Sequence, residues 1–399
     1  MHNMTEQVVK ETEEAFLHVY NRFHVVFDHG EGVKLYDIDG KEYLDFGAGI
    51  AVMGLGYGHE KYTKALTDQT RKLLHTSNLF YTMPAHNAAL KLKKVSGMDR
   101  VFFTNSGTEA IEGALKLAKK HANLTGKKDY NIVAMNKSFH GRSTGALAVT
   151  GDDHYREPFY PLLPNIRFID YNDTEALIRN VDDNTACVIM ETVQGEGGIY
   201  PATPEFIETA RRLCDEHDAF LILDEIQCGV GRTGKMFAFQ NYGVKPDIIT
   251  CAKALGCGVP VGAFLCTQRA ATMVPGDHGT TYGGNPFACA AVDAVLDIFE
   301  EENIVEKAAE AAKYLCATLD KIKDDFDIVK EHRGMGLMQG LEFVPDVKSG
   351  DVVAKALASG LILIGAGSNT VRFLPPLVIT EADVDAMDAI LRKVLTELK

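Results

Sequence analysis

Between about residues 100 and 270, short apolar runs alternate with segments of helical periodicity. The runs are 131–135, 166–169, 186–191, 220–223, 247–251 and 263–266. Several are apolar at nearly every position, the pattern of strands that helices cover on both faces. The alternation predicts an α/β unit with a mostly parallel central sheet. Before it, residues 5 to about 20 read as an acidic amphipathic helix, and 32–37 and 41–46, flanking Asp39-Gly40, read as a β-hairpin. Beyond Pro286 a stretch rich in Ala, Leu, Glu and Lys predicts helix to about residue 325, and shorter β and α pieces then alternate to Lys399. A second, smaller domain is expected there.

Size agrees with this division, since 399 residues at roughly 150 per domain make two or three folded units. The 55 acidic residues outnumber the 41 basic ones and leave a net charge of −14, which disfavours a nucleic-acid or anionic-membrane partner. No apolar run reaches the roughly 18 residues of a membrane span, and residues 1–10 have no basic leader followed by an apolar stretch. The eight cysteines form no C-x-x-C pair and mostly sit in apolar runs, as reduced thiols of a cytoplasmic protein do. No metal site is expected.

Asn105-Ser106-Gly107-Thr108-Glu109 opens a helix whose apolar positions Ile111, Ala114, Leu115 and Ala118 follow helical spacing, and Ser106 and Glu109 fit a capping box. It reads either as an ordinary helix start or as an anion site. In the second case Gly107 lets backbone N–H groups approach a phosphate at the positive end of the dipole, while Ser106 and Thr108 add hydroxyl donors. Residues 221–227 form an apolar run ending in Asp224, Glu225 and Gln227, at the strand end where open α/β sheets place ligands. Glu225 fits a solvated strand terminus, whereas Asp224, entering from a buried strand, needs a cationic partner.

Lys253 follows the apolar run 247–252 among small and apolar neighbours. An amine there is costly unless neutralised, and desolvation makes such an amine a usable base. Residues 229–234 spell G-x-G-x-x-G, but 235–243 is too short and aromatic for the helix of a dinucleotide fingerprint, and Asp247 precedes the next apolar run instead of ending it.

These segments, together with Ser138-Phe139-His140-Gly141-Arg142 and Gly279-Thr280-Thr281-Tyr282-Gly283-Gly284-Asn285-Pro286, resemble in order and spacing the class III (ω-amino) pyridoxal-phosphate aminotransferases of fold type I. The match covers nearly the whole chain. Gly49-Ile50-Ala51-Val52, His75-Thr76-Ser77-Asn78-Leu79 and Arg372-Phe373-Leu374-Pro375-Pro376-Leu377 look most like the acetylornithine aminotransferase branch. The resemblance implies a large cofactor-binding domain over 49–290, a smaller α+β domain over 291–399, and an N-terminal helix and hairpin over 1–48 that join the small domain.

It also implies pyridoxal 5′-phosphate as cofactor. Lys253 would be the Schiff-base lysine and proton carrier, Asp224 would pair with the pyridine nitrogen, and Gln227 would hydrogen-bond the phenolic oxygen. Phe139 would stack on the ring, Ser106, Gly107 and Thr108 would hold the phosphate, and Thr281 would reach the phosphate of the neighbouring subunit in a homodimer with shared active sites. Arg142 and Arg372 would bind substrate carboxylates, with Glu196 neutralising Arg372 when the substrate presents no carboxylate there. The implied reaction moves the δ-amino group of N2-acetylornithine to 2-oxoglutarate, giving N-acetylglutamate 5-semialdehyde and glutamate, in arginine biosynthesis.

Ornithine, 4-aminobutyrate and succinyl-diaminopimelate aminotransferases share the cofactor residues. From another class, the glycine motif suggests a nicotinamide-dependent dehydrogenase. The chain departs from the branch pattern at Met53, Ile111, Thr192 and Cys257, none of which coincides with Lys253, Asp224 or Gln227.

Overall fold

The computed structural model describes residues 4–398, so the first residues of the 1–48 segment and Lys399 lie outside it. Seven strands form the central sheet in the order Arg100–Thr104, Gly262–Cys266, Ile248–Cys251, Phe220–Asp224, Thr185–Glu191, Asn131–Met135, Ile166–Ile169. The last five of these run parallel to one another. Gly262–Cys266, however, is antiparallel to both its neighbours. Its connection to Ile248–Cys251 spans only residues 252–261, too short for the crossover that a parallel neighbour needs.

Alternation along the strands divides the core into two layers. Phe220 and Ile222 pack with Ala110, Ala114 and Ala118 of the helix Gly107–Leu124. Leu221 and Leu223 belong to the other layer, with Phe206, Ile207 and Ala210 of the helix Pro204–Glu216. Because successive side chains of a strand point to opposite faces, the sheet is covered on both sides. That leaves the strand ends as the place where polar groups can converge.

Elsewhere the structure changes several expectations. The N-terminal helix spans Met4–Ala15 and stops short of residue 20, because the chain past Phe16 folds back and brings His18 and Arg22 onto Glu13. The hairpin Lys34–Asp37 and Glu42–Asp45 turns at Gly40, whose φ is 81°. It gains a strand on each side, Phe27–Glu31 antiparallel and Leu361–Ile362 parallel. The long helix expected after Pro286 is two, Pro286–Glu301 and Ile304–Asp325, parted where Asn303 takes a left-handed φ of 52° that an Asn tolerates. A four-stranded antiparallel sheet follows, in the order Val329–Met335, Met338–Phe343, Thr370–Phe373, Ile364–Ala366. All eight cysteines are free, and seven of them are buried.

Candidate active site

A cavity of about 410 Å³ opens at the ends of the central strands, lined among others by Ser106, Thr108, Phe139, Asp224, Gln227 and Lys253. Lys253 comes from the end of Ile248–Cys251 and holds a left-handed φ of 48° as it opens a short 3-10 turn. That conformation costs a non-glycine residue about 1–3 kcal/mol, which the surrounding structure must offset. Burial and then the charge of Arg372 lower the Lys253 amine from its usual range to about 8, against the pull of Glu196, Asp224 and Glu191.

Asp224 is buried, and both of its carboxylate oxygens have donors. Oδ2 accepts from His140 Nδ1 at 2.7 Å, and Oδ1 accepts from Ile226 N at 3.0 Å and Thr250 Oγ1 at 3.1 Å. His140 therefore holds Asp224 from one side, a role that reading its segment as a motif did not assign. Its other ring nitrogen, Nε2, is buried with no partner among the described residues.

Glu191 was also missed. It stands directly beside Asp224 in the strand register, at the end of a run that terminates in a carboxylate just as 220–224 does. Its two oxygens accept from Gly195 N at 3.0 Å and Phe139 N at 3.2 Å, so one carboxyl ties together the loops that carry Glu196 and Phe139. Burial raises this carboxyl to about 7, with His140 opposing and Asp224 adding to the rise.

The expectation of a solvated Glu225 is wrong. Its side chain is buried and accepts from Ala238 N at 2.7 Å, Phe239 N at 2.8 Å and Thr192 Oγ1 at 3.2 Å. The glycine-rich segment 229–234 makes this possible by returning the chain over the strand end into the short turn Ala238–Asn241, with no long helix behind it. Thr192, one of the departures from the branch pattern, supplies the third donor. The other departures also serve packing: Ile111 is buried in the core, Cys257 Sγ accepts from Leu55 N, and Met53 packs against the core. None of the four lines the cavity.

On the opposite wall, Ser106 caps the helix Gly107–Leu124 by accepting from Glu109 N. The capping box is displaced by one residue, because Glu109 returns to Asn105 N at 2.8 Å and not to Ser106. The first-turn N–H groups of Gly107 and Thr108 have no intrahelical acceptor. A Cβ on Gly107 would stand 2.8 Å from Ile226 Cδ1, so the glycine is required by the close approach of Ile226. Glu112 Oε1 accepts from Ser143 Oγ and from Gly145 N and Ala146 N, which fastens the segment after Arg142 to this helix.

Arg372, buried on the strand Thr370–Phe373, donates to Glu196 Oε1 at 2.7 Å, to Gln227 Oε1 at 2.9 Å and to Gly365 O at 3.1 Å. Burial by itself would raise the Glu196 carboxyl, but the charge and hydrogen bonds of Arg372 outweigh it and hold the carboxyl below its usual range. Arg142 is exposed at the cavity, with its guanidinium 3.8 Å from the Tyr155 ring centroid and 5.3 Å from that of Phe139. Thr281 is exposed and lies away from the cavity, in a turn that Asn78 ties down through Thr280 O and Gly283 O.

The Aminotransferase class-III family matches residues 16–395. An acetylornithine aminotransferase of Methanocaldococcus jannaschii is 45% identical over 385 residues, 96% of this chain and 96% of that protein. The crystal structure of an acetylornithine aminotransferase from Elizabethkingia anophelis covers 100% of both chains at 33% identity, with a TM-score of 0.89. An ornithine aminotransferase structure from Toxoplasma gondii, with pyridoxal phosphate at partial occupancy in its active site, covers 98% of this chain and 94% of that one at 31% identity and a TM-score of 0.94.

Proposed function

Because the chain belongs to the class-III aminotransferase family, we propose that it moves the δ-amino group of N2-acetylornithine to 2-oxoglutarate, giving N-acetylglutamate 5-semialdehyde and glutamate in arginine biosynthesis. The similarity to acetylornithine aminotransferases over nearly the full length supports this substrate. The observation that carries the reading is the pairing of buried Arg372 with half-buried Glu196 beside the cavity that holds Lys253. A site that takes two unlike amine donors in turn needs a carboxylate-binding arginine whose charge can be covered when no carboxylate arrives.

The residues present fit pyridoxal 5′-phosphate. A buried carboxylate, a lysine with a lowered pKa and a helix N-terminus with free N–H groups all line one cavity. When bound, the cofactor supplies an aldehyde for the amine and a protonated ring that withdraws electrons from the carbon bearing the reacting nitrogen. Lys253 would take the proton from that carbon and deliver it to the cofactor carbon that had carried the aldehyde, so that the amino group stays with the cofactor. Asp224, held by His140, would keep a proton at the pyridine nitrogen. Phe139 would cover a ring face, and Ser106, Gly107 and Thr108 would hold the phosphate. Gln227, whose Oε1 is held by Arg372, would donate to the phenolic oxygen through its amide N–H. Arg372 receives the glutamate α-carboxylate in a two-pronged contact, and Arg142 holds the distal carboxylate of either substrate.

The active unit in this reading is a homodimer. Leu79, Phe80 and Tyr81 are 86%, 69% and 107% exposed, and the adjoining Asn78 is hydrogen-bonded to the turn that carries Thr281. A second copy covering this apolar surface would bring Thr281 to the neighbour's phosphate. The reading keeps the division into 1–48, 49–290 and 291–399, and a cytoplasmic location that fits the eight free cysteines. Among the described residues no helix is long and apolar enough to cross a membrane.

The test is a panel of amine donors assayed with 2-oxoglutarate on the cofactor-loaded protein. N2-acetylornithine is expected to give the highest kcat/KM. A clear preference for ornithine, 4-aminobutyrate or succinyl-diaminopimelate would move the chain to another branch, and absence of any transfer would refute the reading.

A further inference from the structure

Far along the chain from the cavity, the helix Ile304–Asp325 and the strand Val329–Met335 bring together Cys316, Asp320 and His332. Cys316 and Asp320 are one helical turn apart, and the sulfur, a carboxylate oxygen and a ring nitrogen all lie within 4.8 Å of one another. None of these residues lines the active-site cavity.

The hydrogen bonds of His332 make this more than a chance grouping. Its side chain is 3% exposed, with Nε2 2.9 Å from Gln339 Oε1 and Nδ1 2.8 Å from Asp320 Oδ1. Gln339 is oriented by its own amide, whose Nε2 donates to Gly336 O at 2.7 Å, so its oxygen is the atom that faces the ring. An acceptor at that position puts the imidazole proton on Nε2. Nδ1 of the neutral ring is then a lone pair set against a carboxylate oxygen. A cation placed between them would be held by both. Asp320 presents its other oxygen, Oδ2, to Cys316 Sγ at 3.9 Å.

We propose that Cys316, Asp320 and His332 bind one thiophilic divalent cation of the zinc class. Such an ion takes tetrahedral sulfur, nitrogen and oxygen ligands at about 2.0–2.3 Å, which sets the ligand atoms roughly 3–4 Å apart, close to the spacing present. Thiolate and imidazole select zinc over magnesium or calcium, which prefer all-oxygen sites. Gln339 is the outer partner that fixes the ring tautomer for metal binding at Nδ1. With the Asp320 side chain 61% exposed, the fourth position faces solvent. Binding releases the thiol proton, and any proton on Nδ1, to water. The site departs from the sequence reading, which expects no metal, and it would clip the helix to the strand in the C-terminal part of the chain.

The cofactor-loaded full-length protein, freed of metal with a chelator, is titrated with Cd²⁺ while the thiolate-to-metal charge-transfer absorption is followed. Zn²⁺ is titrated separately in competition with a chromophoric chelator. One ion per chain is expected, with Zn²⁺ raising Tm. Cys316 is the one cysteine of the eight that is not buried, so Cys316→Ser should abolish the cadmium band. Cys316→Ser and Asp320→Asn should each weaken Zn²⁺ by more than the roughly 10–100-fold lost with an outer partner. Both variants lie on a partly exposed helix face, and their Tm without metal verifies folding. No uptake by the wild type, or undiminished affinity in either variant, overturns the proposal.

Discussion

Arg372 and Glu196 meet through two contacts, Nη1 to Oε1 at 2.7 Å and Nη2 to Oε2 at 3.3 Å, across a separation of 176 residues in the chain. The arginine is buried on a strand while the glutamate sits on a loop, so the glutamate is the partner able to withdraw. Arg372→Ala should therefore impair the glutamate half-reaction by about 2–5 kcal/mol, the usual cost of truncating a buried, hydrogen-bonded charge, and largely spare the N2-acetylornithine half-reaction. Glu196→Ala should favour glutamate over the ω-amine. Stopped-flow rates for each half-reaction, measured separately on both variants, check this. Equal losses in both halves for Arg372→Ala would leave that residue a structural one.

Lys253→Ala should abolish turnover, because among the described residues no other amine lines the cavity, while retaining cofactor through the phosphate contacts. Near-normal activity without an added amine would refute the role. With the folded amine at about 8, only its neutral form attacks an aldehyde, so cofactor incorporation into the apoprotein should speed up as pH rises and level off above about 8. An exposed lysine would level off only above about 10. Reconstitution rates between pH 6 and about 10, followed by visible absorbance, distinguish the two.

Asp224→Asn removes the buried carboxylate charge at nearly constant volume. The cost of losing one partner of a buried pair, about 3–5 kcal/mol, corresponds to roughly two to four decades in rate when it falls in the transition state. His140→Gln should act in the same direction and less severely, since Ile226 N and Thr250 Oγ1 still hold Asp224. Single-turnover rates within threefold of wild type for Asp224→Asn would count against the assignment.

Glu191→Ala takes away the acceptor shared by the buried Gly195 N–H and the half-buried Phe139 N–H, leaving the first unsatisfied at about 1–3 kcal/mol and the second at less. Because it loosens the loops of Phe139 and Glu196 together, the variant should bind cofactor more weakly and also discriminate less between the two amine donors. Cofactor affinity and the ratio of half-reaction rates should move together; a change in Tm alone would make Glu191 a purely structural residue.

Dilution should reveal the dimer. If Thr281 completes a neighbour's phosphate site, dissociation and cofactor loss should coincide in sedimentation runs over a concentration series. A fully active, cofactor-saturated monomer would remove the shared site, and Thr281→Ala would then leave cofactor affinity unchanged.

Sequence alone locates six of the seven central strands, because a strand covered on both faces must be apolar along its length, and the strands at 131–135 and 166–169 coincide with runs read from the pattern; the edge strand Arg100–Thr104, with a charge at its start, was not among those runs. It also makes Asp224 and Lys253 conspicuous, since a charge at the end of an apolar run has to be compensated. It does not say by what. His140 reaches Asp224 across 84 residues, and the Ala238 and Phe239 N–H groups reach Glu225 only because the chain turns back over the strand end. Local pattern reports which faces are buried; the identity of a buried carboxylate's donors depends on where distant backbone arrives. For the same reason the solvated Glu225 and the continuous helix after Pro286 were misread, and the pairing of Gln339, His332 and Asp320 became visible only once a strand and a helix were packed side by side.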